Sequence, residues 1–167
     1  ADIRDQSGLD YIMEGVDISA SMVEKAKERD VVGRIGHWNE IHMDTDAYDA
    51  VTFLYAFGHI PSVAERKKSL EKVASVLKPG GRFYFDVFNV ANPNEWGPEA
   101  ARIFDELNLA DEGYERGDLF YKRHGAETVA FLHYCSAEGI SALVEACGLR
   151  VMSVLRIGYV ERPGEQL

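Results

Sequence analysis

The segment at residues 77–87 constrains the fold of this chain more than any other. It reads Leu-Lys-Pro-Gly-Gly followed by Arg-Phe-Tyr-Phe-Asp-Val. Pro79 cannot continue the helix predicted before it, and Gly80 and Gly81 allow the backbone angles of a sharp reversal. Lys78 stands where a cation suits the negative end of a helix. A helix that turns directly into a buried strand is typical of open, mostly parallel α/β sheets, which bind ligands at the carboxyl ends of their strands.

The helix before this turn is predicted at residues 62–77. Ser62 and Glu65 have the spacing of a capping box at its start. Apolar residues recur at the spacing of one buried face, at Leu70, Val73, Ala74 and Leu77. The basic residues of the same helix are interpreted as a solvated face: Arg66, Lys67, Lys68 and Lys72.

Apolar runs and helix caps predict the remaining elements. Strands are predicted at residues 11–18, 31–35, 49–55, 82–90 and 149–157, with a strand pair at 119–121 and 128–132. Further helices are predicted after Ser19 or Ser21, where Ser21 and Glu24 would form a capping box, and at residues 99–107 and 136–148. The alternation of strands and helices predicts an α/β fold with a mostly parallel sheet.

Length and composition restrict the class of protein. We predict one domain over residues 1–167, with residues 91–135 as a substrate-side insertion or lid, because that stretch is long for a connection. The net charge of −10 disfavours a broad nucleic-acid surface. No apolar run approaches a membrane span. Cys135 and Cys147 form neither a disulfide framework nor a metal-binding spacing, so we predict a cytoplasmic protein without a metal.

Four sequence pieces occur in a particular order in the first half of the chain. A predicted strand ends at Asp17, and a Gly-His-Trp-Asn loop at residues 36–39 follows the next one. A strand beginning at Asp49 leads to a loop at residues 58–60, and the turn at 77–81 comes last. In this order they resemble the class I S-adenosylmethionine-dependent methyltransferases over roughly residues 13–86. The resemblance implies a Rossmann-like fold with helices on both faces of the sheet and S-adenosylmethionine as cofactor.

The resemblance also assigns residues to the cofactor. Asp17 would accept hydrogen bonds from the ribose hydroxyls, and Ile18 would lie against the adenine. His37 stands where the family usually has an aspartate, so a neutral imidazole would accept from the adenine amino group while Trp38 stacks on the base. Leu54 would lie beside the methionyl part of the cofactor.

The acceptor side is predicted from the loop after the strand at 49–55 and from a basic cluster. His59 is the preferred general base, if the methyl acceptor must lose a proton, and Tyr55 and Asp86 are weaker candidates. Lys122 and Arg123, beside His124, are predicted to bind a carboxylate or phosphate of the substrate. The acceptor is predicted to be a small molecule or a group linked to RNA.

The family's first strand and its glycine-rich loop would precede Asp17, and the sequence before this residue holds neither. That strand lies at the centre of the family's sheet, between the strands that end at Asp17 and begin at Asp49. An unpaired buried backbone group costs about 1–3 kcal/mol. We therefore expect the chain to be part of a longer protein, with a fold incomplete at both ends.

Two other interpretations are open. The first is a methyltransferase-like subunit without catalysis, in which the domain serves as a scaffold for a partner. The second is a nicotinamide-dependent dehydrogenase, which would also place an acid after its second strand but needs a glycine fingerprint.

Overall fold

A computed structural model describes residues 11–122, 125 and 127–157 of the chain. Its first unit is a parallel strand pair joined by a helix: β1 (Met13–Asp17), α1 (Ala20–Lys27) and β2 (Val31–Ile35). Ser19 caps α1 by accepting a hydrogen bond from the Met22 N–H, so the capping box predicted at Ser21 is wrong. Gly33 allows α1 to approach β2, because a Cβ there would lie 2.5 Å from Val23 Cγ1.

A second parallel pair follows, formed by β3 (Tyr48–Phe53) and β4 (Leu77–Phe85), with α2 (Val63–Val76) between them. Ser62 caps α2 by accepting from the Glu65 N–H at 3.2 Å, as predicted. The glycine turn, however, is part of the strand. β4 already begins at Leu77, and the pairing with β3 shifts register before Arg82.

Lys78 does not interact with the carboxyl end of α2, as the sequence had suggested, but with the neighbouring strand. Its ammonium group lies 2.8 Å from the carboxylate of Asp49 on the neighbouring strand β3. Gly80 has a φ of 83°, which a residue with a side chain rarely adopts. The predicted reversal is thus a local irregularity of the parallel ladder, held by one exposed ion pair.

The third sheet has the order β5-β7-β6, formed by β5 (Phe88–Asn89), β7 (Ala130–Cys135) and β6 (Asp118–Tyr121). β7 is parallel to β5 and antiparallel to β6, so the predicted strand pair is confirmed. Helix α3 (Gly97–Leu107) lies between β5 and β6, with a short 3-10 helix (Leu109–Glu112) after it, and α4 (Ala137–Ala146) follows β7. The strand predicted at 149–157 is wrong, because these residues pair with no strand in the described parts of the chain.

The hydrophobic core lies between α2, α4 and the strands. Phe57, in the 3-10 turn Phe57–His59 after β3, is fully buried and packs with Leu70 of α2 and Val144 of α4. The prediction of a solvated basic face on α2 is wrong for Arg66, which is only 1% exposed. Arg66 precedes Leu70 by four residues, so it lies on the apolar face of the helix.

The strand pairs β1–β2 and β3–β4 are connected by side chains rather than by a shared ladder. Among the described residues, β1 pairs only with β2 and β3 only with β4. The Tyr48 hydroxyl on β3 donates to Glu14 on β1 at 2.9 Å, and Arg34 on β2 forms an ion pair with the same carboxylate. No helix in the described parts of the chain is both long and apolar enough to span a membrane.

The backbone is strained directly after β3. Tyr55 has a φ of 54°, in the left-handed region that non-glycine residues seldom occupy. Its N–H donates to Asp86 Oδ1 at 2.7 Å, and its side chain is 78% exposed. A side chain that packs against little protein does not account for this strain, and such strain is concentrated at functional sites.

Leu70→Ala tests the core. We expect a loss of about 2–5 kcal/mol in the free energy of unfolding, because Leu70 is fully buried and the cavity left behind cannot collapse completely. Leu107→Ala, at an exposed position of α3, is the matched control, and we expect a change within about 0.5 kcal/mol. Urea unfolding measures both, and equal effects would contradict the packing described for α2.

Tyr55→Gly tests the strain. We expect a gain of about 0.5–1 kcal/mol in the free energy of unfolding, because relief of the left-handed conformation outweighs the extra entropy of the unfolded glycine. Tyr84→Gly, at an exposed position of β4, is the control and should destabilise by about 1 kcal/mol. A loss of stability in Tyr55→Gly as large as in Tyr84→Gly would show that Tyr55 is unstrained.

Candidate functional site

Asp17 ends β1 at the carboxyl edge of the first strand pair. Its Oδ1 accepts the Ser19 N–H at 2.7 Å, and the side chain is exposed. The same turn leaves Ile18 72% exposed, although it is an apolar residue next to a strand end. A carboxylate with a free oxygen beside an exposed apolar side chain fits a ribose next to a flat base.

The loop after β2 exposes His37 but half-buries Trp38. His37 is exposed, and its Nδ1 accepts the Asn39 N–H at 3.3 Å. A neutral imidazole that accepts at Nδ1 carries its proton on Nε2, so it can donate to a ring nitrogen of adenine instead of accepting from the amino group. We therefore expect His37 to donate a hydrogen bond from Nε2 to the adenine.

Trp38 is half-buried against α2 and β3. Its indole N–H donates to the Ser69 carbonyl at 3.3 Å, and its ring meets Phe53 edge-on with the centroids 5.1 Å apart. The ammonium group of Lys72 lies over the indole ring and donates to the carbonyls of Trp38 and Ile41. Burial lowers the pKa of this lysine. Stacking of Trp38 on a base stays a prediction.

The loop after β3 presents two large exposed side chains beside a carboxylate. Leu54 is 63% exposed and precedes Tyr55, whose strained backbone is bound to Asp86. Asp86 follows β4, so the carboxyl ends of β3 and β4 meet here. The exposed apolar surface of Leu54 can hold the aliphatic part of a ligand at this edge.

His59 lies at the end of the 3-10 turn and is exposed. Its Nδ1 is 3.1 Å from the Phe131 carbonyl, which can only accept, so Nδ1 donates and Nε2 is free to accept a proton. The histidine thus connects the loop after β3 to strand β7. Of the predicted substrate residues, Lys122 is exposed, and Arg123 lies outside the described residues.

A second group of polar residues was missed by the sequence analysis. Arg66 pairs with Glu115, and His133 Nδ1 lies 2.7 Å from Asp118 Oδ1. The signals were present: Arg66 has the spacing of the apolar face of α2, and His133 lies within an apolar strand. These residues line or adjoin a cavity between α2, β7 and α4. No cluster of three or more metal-ligating side chains occurs in the described parts of the chain.

Residues 4–85, just under half of the chain, match the family model of a methyltransferase domain. No curated protein sequence matches the chain at a significant level. These residues include Asp17, the loop after β2 and the strand pair β3–β4, but not the cavity-lining residues of β7 and α4.

Solved structures are similar in fold. A structure of S-adenosylmethionine-dependent methyltransferases from Methanosarcina mazei shares 16% identity and a TM-score of 0.68, over 82% of this chain and 68% of that one. The methyltransferase CcbJ from Streptomyces caelestis shares 15% identity and a TM-score of 0.56, over 84% and 64%. A complex of DhpI with SAM and HEP shares 21% identity and a TM-score of 0.60, over 87% and 63%.

The parallel α/β fold predicted from the sequence is confirmed by these likenesses, and the family-model match of residues 4–85 supports the predicted family and its cofactor. The chain spans about two thirds of the length of the three structures. The exposed Asp17, Ile18 and Leu54 fit S-adenosylmethionine, which has a ribose, a base and an aliphatic chain. Residues 4–85 therefore resemble the methyltransferase domain family, and the chain has the fold of the class I S-adenosylmethionine-dependent methyltransferases.

Proposed function

We propose that this domain binds S-adenosylmethionine at the carboxyl ends of β1, β2 and β3 and directs methyl transfer to a small molecule. The observation that supports this most is Asp17, an exposed carboxylate at a strand end with one oxygen held by the Ser19 N–H and the other free. The sulfonium methyl group of the cofactor supplies the reactivity, so the chain's own task is binding and orientation.

Each residue of this edge has a role in the proposal. Asp17 accepts from the ribose hydroxyls, and charged acceptors make the stronger hydrogen bonds. Ile18 covers the base, His37 donates to it from Nε2, and Leu54 packs against the aliphatic chain. Trp38 is placed at the base by the family resemblance, and its contacts with α2 hold the loop in position.

The acceptor is proposed to enter beside the loop after β3. His59 is the general base predicted from the sequence, and its free Nε2 supports that role. The exposed Tyr55 hydroxyl could assist, and Lys122 with Arg123 would attract an anionic group of the substrate. An acceptor linked to RNA is the second form of this proposal, since one local basic cluster suffices for a single phosphate contact.

The alternative function is a methyltransferase-like scaffold without catalysis. The separate strand pairs β1–β2 and β3–β4 favour it, because among the described residues no strand joins them. A scaffold requires no affinity for the cofactor, so binding of the cofactor's product separates the two functions. A cytoplasmic location remains part of the proposal.

Calorimetric titration with S-adenosylhomocysteine tests the proposal. We expect micromolar binding to the chain and a loss of at least about tenfold in Asp17→Asn, because the charged acceptor is replaced by a neutral amide. Asp49→Asn is the matched control, because Asp49 lies near the opposite, amino end of a strand and its ion-pair partner among the described residues is Lys78.

The control should bind as the unchanged chain does. Absence of binding from a chain that unfolds cooperatively would favour the scaffold. Equal losses in Asp17→Asn and Asp49→Asn would mean that the cofactor site is not at the end of β1.

A further inference from the structure

A cavity of about 520 Å³ lies between the first turns of α2 and α4 and the end of β7. This volume suits a small molecule. Its walls are largely apolar, and its polar residues come from three elements. The lining residues that matter here are Val63, Arg66, Glu115, His133, Ile140 and Leu143.

The cavity is at the edge where the strands end. Helix α2 begins after the loop that follows β3, and α4 begins directly after β7, which runs parallel to β5. The loop after β3 approaches β7 closely, because a Cβ on Gly58 would lie 3.3 Å from the His133 carbonyl oxygen. The loop proposed to meet the cofactor and acceptor is therefore next to this cavity.

His133 is held in one orientation. Its Nδ1 lies 2.7 Å from Asp118 Oδ1, and a carboxylate only accepts, so Nδ1 donates. The Glu115 N–H donates to the other oxygen of Asp118 at 2.9 Å. The side chains of His133 and Asp118 are 10% and 7% exposed. This pair fixes the tautomer in which Nε2 carries the lone pair.

Nε2 of His133 has no hydrogen-bond partner among the residues that the structure describes. It is also not one of the described polar atoms that are both unpaired and completely enclosed. A nitrogen that is neither paired nor enclosed, on a side chain nine-tenths buried, is reached from the cavity that His133 lines. Nε2 is therefore open to a hydrogen bond from a ligand or from water in the cavity.

Charged groups around His133 set its protonation. Burial and the nearby Arg66 lower its pKa below the ordinary value of 6.5, while Asp118 and Glu115 act in the opposite direction. Arg66 is itself neutralised by its ion pair with Glu115. Burial raises the pKa of Cys135, on the same strand, to about 11, so this residue is a neutral thiol. The imidazole is thus neutral at pH 7 and ready to accept a proton.

We propose that this cavity binds the methyl acceptor as a small, mostly apolar molecule with a hydroxyl group, and that Nε2 of His133 accepts the hydroxyl proton. This inference rests on the proposed function and names His133, in place of His59, as the base. Asp118 is a positioning residue. Nε2 of His133 stands in a wall that also holds Arg66, Glu115, Arg116 and Ser136, so it favours a ligand that offers a donor to this nitrogen.

The proton balance is complete. As the acceptor oxygen bonds to the methyl carbon, its O–H bond breaks and the proton goes to Nε2, while the electron pair of the methyl–sulfur bond stays on sulfur. The imidazolium ion formed is stabilised by its hydrogen bond to Asp118 and then releases the proton to solvent. The exposed His59 has no comparable carboxylate partner, because its Nδ1 faces the Phe131 carbonyl.

Nitrogen-15 NMR of the histidine rings, in the absence of cofactor, tests the site. We expect His133 to carry its proton on Nδ1 and to have a pKa below 6.5, and the pKa should fall further in Asp118→Asn, because the stabilising charge is removed. A protonated Nε2 in the neutral ring, or a pKa unchanged by Asp118→Asn, would overturn the proposal.

Phenol and anisole are the matched probes, because anisole carries a methyl group in place of the hydroxyl proton and so cannot donate. We expect phenol to shift the resonances of Ile140 and Leu143 and to bind at least about fivefold more tightly than anisole. This preference should disappear in His133→Phe and persist in His42→Phe, a control at an exposed histidine. Equal binding of the two probes, or binding of neither, would overturn the proposal.

The outcome is separable from that of the proposed function. If the chain does not bind S-adenosylhomocysteine but still prefers phenol, the proposed methyltransferase function is contradicted and the proton-accepting site at His133 is supported. Cofactor binding without a phenol preference would remove the role of His133. If His133→Phe fails to fold, the proposal is tested by the NMR tautomer of His133 in the unchanged chain and by the pKa of the same ring in Asp118→Asn.

Discussion

The ion pair between Arg66 and Glu115 is the interaction on which the second half of the structure depends. Arg66 also donates to the Ile60 carbonyl at 2.8 Å, and Glu115 accepts the Val63 N–H at 2.9 Å. The pair thereby connects the loop after β3, the start of α2 and the segment before β6. Burying a guanidinium is costly unless it is paired and fully hydrogen-bonded, so removing either partner would leave an uncompensated charge. This contact joins the ladder with β7 in holding β6, and with it Asp118, next to α2.

The first half of the structure contains the two parallel strand pairs. The strands of its parallel pairs are mostly half-buried or exposed, and exposed apolar residues stand where several of them end. Ile18 and Leu54 are such residues, and Tyr55 adds a strained backbone held by Asp86. Exposed apolar side chains and strain are costs that a stable domain avoids unless a ligand compensates for them. The carboxyl edge is therefore where this half of the fold combines backbone strain with exposed apolar surface.

Local signals in the sequence were sufficient for several of the elements. The Ser62 cap, strand 31–35 and the pair β6–β7 depend on neighbours within a few residues, and they were predicted correctly. The glycine turn and the strand at 149–157 depend on which strand lies beside them, which one chain's periodicity does not specify.

Arg66 was misjudged for a related reason. Charge type was given more weight than position, although Arg66 falls on the apolar stripe of α2. Helix α2 also contacts the loop after β2, through Ser69 with Trp38 and through Lys72 with two loop carbonyls. Helix α2 thus lines the cavity with its first turns and holds the loop after β2 with residues about two turns later. A small rotation of α2 would move the cavity wall and the loop after β2 together. A ligand bound in the cavity would then change the affinity for a ligand bound at the loop, without any contact between the two ligands.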